Sequence, residues 1–412
     1  MIPTILAGNV LMSATLELAP GISLCLRADA AGMVFAALAS LLWFITSFFS
    51  IGYMRSLKEL HQTGYYFSFA ICLSATMGIA FAGNLLTFIV FFELLTLATY
   101  PLVAHHRDQE SLKASRRYLV YTIIGGQLTL LGIAFVYYLT GSLEFIPGGF
   151  MNTDTASKTV LVIVFLLLLA GPAVKAGLMP FHGWLPSAMV APTPVSALLH
   201  AVAVVKAGCF GIIRMVGYVF GPATMQAIGM DTFLVAIASF TIITASVIAL
   251  TQNHLKQRLA FSTISQLSYI VLGIGLMNPM TMAAGIFHLF AHGMMKITLF
   301  FTAGAIYTKT HDLRINMLSG LGRVMPFTFT AYTICSLGIA GMPFTVGFIS
   351  KWNILMGAVE DGKLWVIALL LVSAVLTCAY LLSVSYKAFF GKVVPSMQHI
   401  KGEPNLLCLF PL

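Results

Sequence analysis

Long apolar runs recur along the whole chain, at residues 30–49, 160–173, 234–250 and 364–382 among others, and no other feature limits the possible folds as tightly. Each is near the ~20 residues that a helix needs to cross a hydrocarbon core ~30 Å thick. Inside lipid every backbone N–H and C=O must find its partner within a helix or a closed barrel. Barrel strands are short and alternate apolar with polar residues; these runs are continuous, so they predict helices. Only 8% of the 412 residues are charged, while 59% are hydrophobic. Water-soluble domains carry about 25% charged residues, so the composition excludes one. The expected fold is an all-α polytopic membrane bundle, a single integral membrane domain over residues 1–412 with no separate soluble domain.

Read in order, the runs predict about eleven helices, near residues 28–52, 66–83, 85–104, 117–140, 159–181, 192–220, 231–250, 257–276, 280–307, 323–356 and 363–390. Short Gly/Asn/Pro breaks such as Gly83-Asn84 and Asn278-Pro279 separate neighbours. The distribution of basic residues tests this count. Arg55 and Lys58 follow the first helix, Arg107, Lys113, Arg116 and Arg117 the third, and Lys256 and Arg258 the seventh. Lys309, Arg314 and Arg323 follow the ninth, and Lys387, Lys392 and Lys401 the last. With strict alternation all of them fall on one side. The other side receives Arg27, Lys158 and Lys363 with acidic Glu144, Asp154, Glu360 and Asp361. Positively charged loops stay in the cytoplasm, which predicts an inner-membrane, multi-pass protein with cytoplasmic basic loops. The same distribution accounts for the net charge of +9 without a nucleic-acid partner.

Several classes of chemistry have no signal. Cys25, Cys72, Cys209, Cys335, Cys378 and Cys408 are scattered, with no C-x-x-C and no cluster spacing, and read as small buried hydrophobes. Neither phosphate-binding glycine motif is present, so no nucleotide, flavin, quinone or iron–sulfur cofactor is expected. The first charge is acidic Glu17, and no cleavable leader is expected.

What remains after the loops are removed is a short set of ionisable residues in or beside apolar spans. They are Glu93, Lys175, Lys206, Lys296, Lys351, His200, His288 and His292. An ionisable group at mid-membrane costs at least ~2.5–3.5 kcal/mol on insertion scales. Such groups persist when they pair, line a wet cavity or relay protons; a purely structural ion pair is the alternative for any one of them. Glu93 is the only carboxylate deep in a span, and a buried lysine is its natural partner. His288, His292 and Lys296 are spaced i, i+4, i+8 and share one helix face. His-x-x-x-His also suggests zinc, but the accompanying Glu and any Cys ligand are missing, so no metal is expected. His200 and Lys206, six residues apart, do not share a face. Arg214 lies late in its helix, where snorkelling to the interface is expected.

Two stretches look alike: Lys175-Ala-Gly-Leu-Met-Pro180-Phe181 and Ala340-Gly-Met-Pro343-Phe-Thr-Val-Gly347. Each places Gly and Pro inside an apolar helical run with a lysine nearby, Lys175 or Lys351. Proline removes a helix hydrogen bond, and such breaks are tolerated in membranes where they are buried in protein or line a wet cavity. Paired breaks at matching places point to an inverted repeat, with halves at residues 66–220 and 231–390.

The run Gly177-Leu-Met-Pro-Phe-His-Gly-Trp-Leu-Pro186, continuing through Ala191-Pro-Thr-Pro-Val-Ser-Ala-Leu-Leu-His200 to Val205-Lys206-Ala-Gly208, resembles the signature of the antiporter-like membrane subunits. That family is shared by Mrp-type cation/proton antiporters, respiratory complex I and membrane-bound hydrogenases. Further matches, in the family's order, are residues 84–94 around Glu93, 259–269 from Leu259 through Gln266 to Tyr269, 288–296 and 347–352. The resemblance covers roughly residues 25–390. It implies that Glu93 is the carboxylate pairing with Lys175, that His200, Lys206, His288 and His292 continue a polar axis, and that Lys351 is the lysine where protons leave. Lys296 matches a basic position after the histidines. Protons would hop along a hydrated midplane line while ion pairs such as Glu93–Lys175 open and close. Members of the family usually have about two more helices before residue 28 and at least one after residue 390.

Residues around His105-His106-Arg107 and Ser350-Lys351-Trp352 favour a subunit of an Mrp-type sodium(potassium)/proton antiporter, most similar to its D subunit. The second reading is a proton-pumping subunit of NADH:quinone oxidoreductase or of a membrane-bound hydrogenase, with the redox chemistry held by other subunits. A truncated, non-transporting assembly subunit is the third. All three imply other membrane subunits of a hetero-oligomeric complex as partners.

Overall fold

The computed structural model describes residue 5, residues 9–19 and residues 22–412. Helices cross the bundle in the predicted order. They are α1 (Ala30–Ser56), α2 (Gln62–Ala80), α3 (Leu85–Val103), α4 (Gln109–Thr140) and α5 (Lys158–Ala176). After these come α6 (Thr193–Ala201), α7 (Val204–Arg214), α8 (Gly221–Ile228), α9 (Met230–Thr251), α10 (Leu255–Gly275) and α11 (Pro279–Thr310). α12 (Pro326–Ala340), α13 (Val346–Glu360) and α14 (Trp365–Phe390) follow. Among the described residues nine helical stretches are long and apolar enough to span a membrane, the α6–α8 stretch counting as one. α10 and the α12–α13 pair supply the other two of the expected eleven spans.

Helix starts follow local chemistry. Asp29, Asn84 and Asp108 accept hydrogen bonds from the backbone N–H of Gly32, Thr87 and Ser111 at 2.8, 2.8 and 2.7 Å, each satisfying an otherwise orphaned donor of the first turn. Asn278 caps α11, with Pro279 at its first position, where a missing N–H costs nothing.

α10, expected near residues 257–276, is less apolar than the other spans for a physical reason. It carries Lys256, Arg258, Ser262, Ser265, Gln266 and Ser268, all buried. A helix surrounded by other helices never meets lipid and can carry polar residues. α6–α7 and α11 share this central position, whereas only a third of the apolar window of α14 is buried and its outer face is apolar. The histidines and all but two of the buried lysines sit on the three central elements.

Residues 11–19 and 22–28 form two small antiparallel ladders that the sequence reading did not anticipate. β1 (Leu11–Met12) pairs with β4 (Arg27–Ala28), Leu11 opposite Ala28, and β2 (Leu16–Ala19) pairs with β3 (Ile22–Leu24), Leu16 opposite Leu24. They sit over the end of the bundle where Asn84 Nδ2 donates to the Ser23 carbonyl at 2.7 Å.

Three predicted helices are interrupted. The stretch 159–181 ends at Ala176, because Gly177 adopts φ +72° and the chain leaves in turns through Gly183. The stretch 323–356 divides at Gly341, φ +91°. The stretch 192–220 breaks at Val202–Ala203 and ends in a π-helical turn over Met215–Phe220.

Candidate functional site

α3, α5, α6, α7, α11 and α13 bring the eight ionisable residues into the bundle interior. All are buried except Glu93, which is half-buried. At the first broken helix the Lys175 ammonium donates to the Phe92 carbonyl and lies over the Phe92 ring, 3.4 Å from its centroid. The adjacent Glu93 carboxylate points toward α4, close enough to Gly126 that a Cβ there would collide with it. Glu93 and Lys175 sense each other's charge, yet they form no ion pair, and Glu93 Oε1 has no hydrogen-bond partner. The expected pair is present as neighbours in an open arrangement.

α7 packs against this break because Gly208 lets it. A Cβ on Gly208 would fall 2.7 Å from the Lys175 carbonyl carbon and 2.8 Å from the Pro172 oxygen. The Trp184 indole N–H closes the other side, donating to the Val174 carbonyl at 2.8 Å.

The break at Val202–Ala203 separates His200 from Lys206 and sends them to different neighbours. Lys206 Nζ lies 2.6 Å from His292 Nδ1. His200 packs at a tilt against Phe300 with centroids 4.8 Å apart, and both of its ring nitrogens lack partners. His292 and His288 follow one another on α11 with centroids 6.1 Å apart. His288 Nδ1 meets Ser350 Oγ of α13 at 2.7 Å, and its Nε2 is unpartnered. Next along α13, Lys351 Nζ donates to the Ile339 carbonyl at 2.5 Å and sits 4.6 Å from the Tyr269 ring centroid. Ile339 O is among the last carbonyls of α12, where the helix dipole and the lost intrahelical donors favour a cation. Lys296 branches from this row to Ser262 Oγ at 2.9 Å, and Tyr380 OH donates to the same oxygen at 3.2 Å.

Several polar atoms along the row have nothing to bond: His200 Nδ1 and Nε2, His292 Nε2, His288 Nε2, both amide atoms of Gln266 and the Tyr269 hydroxyl. Buried polar groups are almost always satisfied by protein or by ordered water, and internal water typically bridges such groups. Titratable side chains bridged by such water are groups that can exchange protons.

The matching family is described as NADH:quinone oxidoreductase/Mrp antiporter, TM, and it covers residues 82–377. The chain belongs to this family. It is 31% identical to NADH-quinone oxidoreductase subunit N of Desulforudis audaxviator, over 82% of this chain and 67% of that protein. To the A-type Na(+)/H(+) antiporter subunit of Alkalihalophilus pseudofirmus it is 32% identical, over 92% of this chain but 50% of that protein. The fold matches a chain of the Mrp complex from Dietzia sp. with a TM-score of 0.83 and 25% identity, covering 98% of this chain and 77% of that one. It also matches a chain of an archaeal membrane-bound sulfane sulfur reductase, TM-score 0.84 and 26% identity, over 96% and 80%. The chain thus spans about two thirds of the oxidoreductase relative and about half of the antiporter relative.

Two expectations for this NADH:quinone oxidoreductase/Mrp antiporter family chain are corrected. Arg214 does not snorkel: it is fully buried and holds Asp29 bidentately, Nη1 to Oδ2 at 2.5 Å and Nη2 to Oδ1 at 3.0 Å. The Phe145, Phe210 and Tyr218 rings surround the guanidinium at 5.2, 4.8 and 4.5 Å. The partner is 185 positions away, and the short reach to it outweighs the long reach to water. Lys256 and Arg258, read as loop charges, lie inside α10 and are buried, with Lys256 Nζ donating to the Ala191 carbonyl at 2.6 Å.

Proposed function

We propose that this chain is the proton-carrying membrane subunit of a multisubunit monovalent-cation/proton antiporter of Mrp type. The observation that carries the reading is the buried succession Lys206–His292–His288–Ser350–Lys351. Two of its contacts lie at 2.6 and 2.7 Å, and His292 Nε2 and His288 Nε2 along it have no partner. Imidazole and amine groups exchange protons with water, and like charges repel strongly in a low-dielectric interior, so a proton arriving at one end disfavours occupancy of the next site. Opening and closing of Glu93 against Lys175 at the first break then gates the row, and Lys351 at the second break releases the proton. Residues 66–220 and 231–390 are the two inverted halves that build the breaks, and the basic loops face the cytoplasm of a cell whose inner membrane holds the protein. Other membrane subunits complete the complex.

A second reading, a proton pump driven by a redox enzyme, is favoured by the similarity to NADH-quinone oxidoreductase subunit N. One experiment separates them. Everted vesicles containing the chain with its native partners are acidified by respiration, then given sodium or potassium while a dye reports lumenal pH. Rapid gradient loss in wild type but not in Glu93→Ala or Lys175→Ala supports antiport. No cation effect, with weakened NADH- or formate-driven acidification in the variants, assigns the chain to a redox pump. Wild-type behaviour of both variants in both assays refutes proton carriage.

A further inference from the structure

The row described above has to meet water on the side of the basic loops, and none of its members is exposed there. A cavity of about 660 Å³ opens on that side. His106 and Asp108 from the loop after α3, Lys113 from α4 and His254 from the loop after α9 line its mouth. Its deeper wall is formed by Ala191, Thr193 and Lys256. Lys256 is buried, its ammonium has no carboxylate partner among the described residues, and its one hydrogen bond is the donation to the Ala191 carbonyl at 2.6 Å. His106 and His254 line the same cavity, and the Ala191 that Lys256 holds leads through Thr193 into α6, which carries His200. His200 is fully buried and carries two unpartnered nitrogens. The lysine therefore stands between an aqueous cavity and the first vacant acceptors of the interior, held by a single neutral oxygen that it can leave.

We propose that Lys256 is the intake relay, taking protons from water in this cavity and passing them toward His200. Each transfer moves one proton and no electrons: Nζ gives a proton to water on the His200 side, then takes one from water in the cavity, returning to the Ala191 carbonyl. The proposal rests on the proton-carrying reading above.

The test uses the complex in everted vesicles, with flux read by the pH dye, and Lys256→Cys treated with thiol reagents from the basic-loop side. Lys256→Cys should lower flux by roughly tenfold or more, the scale of losing a positioned proton-transfer group. Attaching an aminoethyl group through a disulfide restores a titratable amine and should return most of the flux. Attaching the trimethylammonium analogue restores a positive charge that cannot release a proton, and should not. Wild type treated identically controls for the native cysteines, and Lys256→Arg, which keeps the charge but hardly titrates, should stay low although it assembles. Equal rescue by both reagents, or full flux in the Cys or Arg variant, overturns the relay and leaves a structural charge. If Lys206→Ala also leaves flux unchanged, the proton-carrying reading fails with it; if Lys206→Ala abolishes flux, only the relay falls.

Discussion

Replacing Asp29 should destabilise the protein more than any other single carboxylate change, and the structure gives the size. Asp29 does two things: its Oδ1 accepts the Gly32 N–H at 2.8 Å to cap α1, and both oxygens hold Arg214. Loss of an N-cap costs about 1 kcal/mol. Leaving a buried charge unpaired costs about 3–5 kcal/mol, and Arg214 is fully buried among aromatic rings. Asp29→Ala should therefore lose about 4–6 kcal/mol, the sum of a lost cap and an orphaned charge. Asp29→Asn keeps the cap, since asparagine serves as well as aspartate there, and should lose only the second part. Removing both charges as Asp29→Asn/Arg214→Met should recover most of the loss, because apolar replacements of buried pairs are often neutral. The assay is thermal unfolding of the purified protein in detergent, followed by size-exclusion recovery after heating. A double variant as unstable as Asp29→Asn alone, or an Asp29→Ala protein with the wild-type midpoint, would refute the view that the orphaned guanidinium sets the cost.

Gly208→Ala should lower thermal stability by about 1–3 kcal/mol, the usual range for overpacking, and reduce proton flux, since its Cβ meets the backbone of the Lys175 break; an unchanged midpoint would show that α7 does not approach so closely. Lys206→Met and His292→Ala should each lower flux by about tenfold or more, and their double variant should be no worse than either, because both break the same 2.6 Å contact; additive losses would separate them. Glu59 lies 3.7 Å from His105 Nε2 and from His106 Nδ1, and these two imidazoles, His105 first, hold its carboxyl below the usual carboxylate range. A depressed pKa contributes stability above its unfolded value and loses it as pH falls through the folded value. Glu59→Gln should thus lower the midpoint at neutral pH and match wild type at pH below the carboxylate range; a constant difference across pH would refute the clasp.

Eleven spans and both proline-containing breaks were legible because their causes are local. Apolar runs of membrane length, a glycine at φ +72° or +91° and a nearby proline carry their own conformational instructions. The break at Val202–Ala203 was not legible, since alanine and valine continue a helix elsewhere. There the Ala201 carbonyl lies against Gly293 of α11, so a distant helix supplies the reason. Lys256 was read as a loop charge because α10 owes its place to burial among other helices rather than to its own hydropathy. Asp29 and Arg214 carry no local mark of their pairing. The buried ionisable residues were found by a different signal, charge where charge is expensive, which works only where the surroundings are apolar. It located Glu93, Lys175, His200, Lys206, His288, His292 and Lys351 but could not say which of them touch.

Those contacts separate two uses of a buried cation in one protein. Arg214 is matched by a bidentate carboxylate that fixes its position. The buried lysines are matched differently. Lys175, Lys256 and Lys351 donate to the carbonyls of Phe92, Ala191 and Ile339, Lys206 faces an imidazole nitrogen, and Lys296 a serine hydroxyl. A carboxylate partner would be left as an orphaned charge whenever its lysine gave up a proton, at a cost of several kcal/mol. A neutral oxygen or nitrogen loses only a hydrogen bond, net about 0.5–1.5 kcal/mol, and water can replace it. Neutral partners therefore suit groups that must exist both with and without a proton, and the one carboxylate of the row, Glu93, stands beside Lys175 without holding it. Converting Ser262, the partner of Lys296, to Asp should accordingly lock that lysine in its charged form and slow flux, whereas Ser262→Ala should leave it free to titrate.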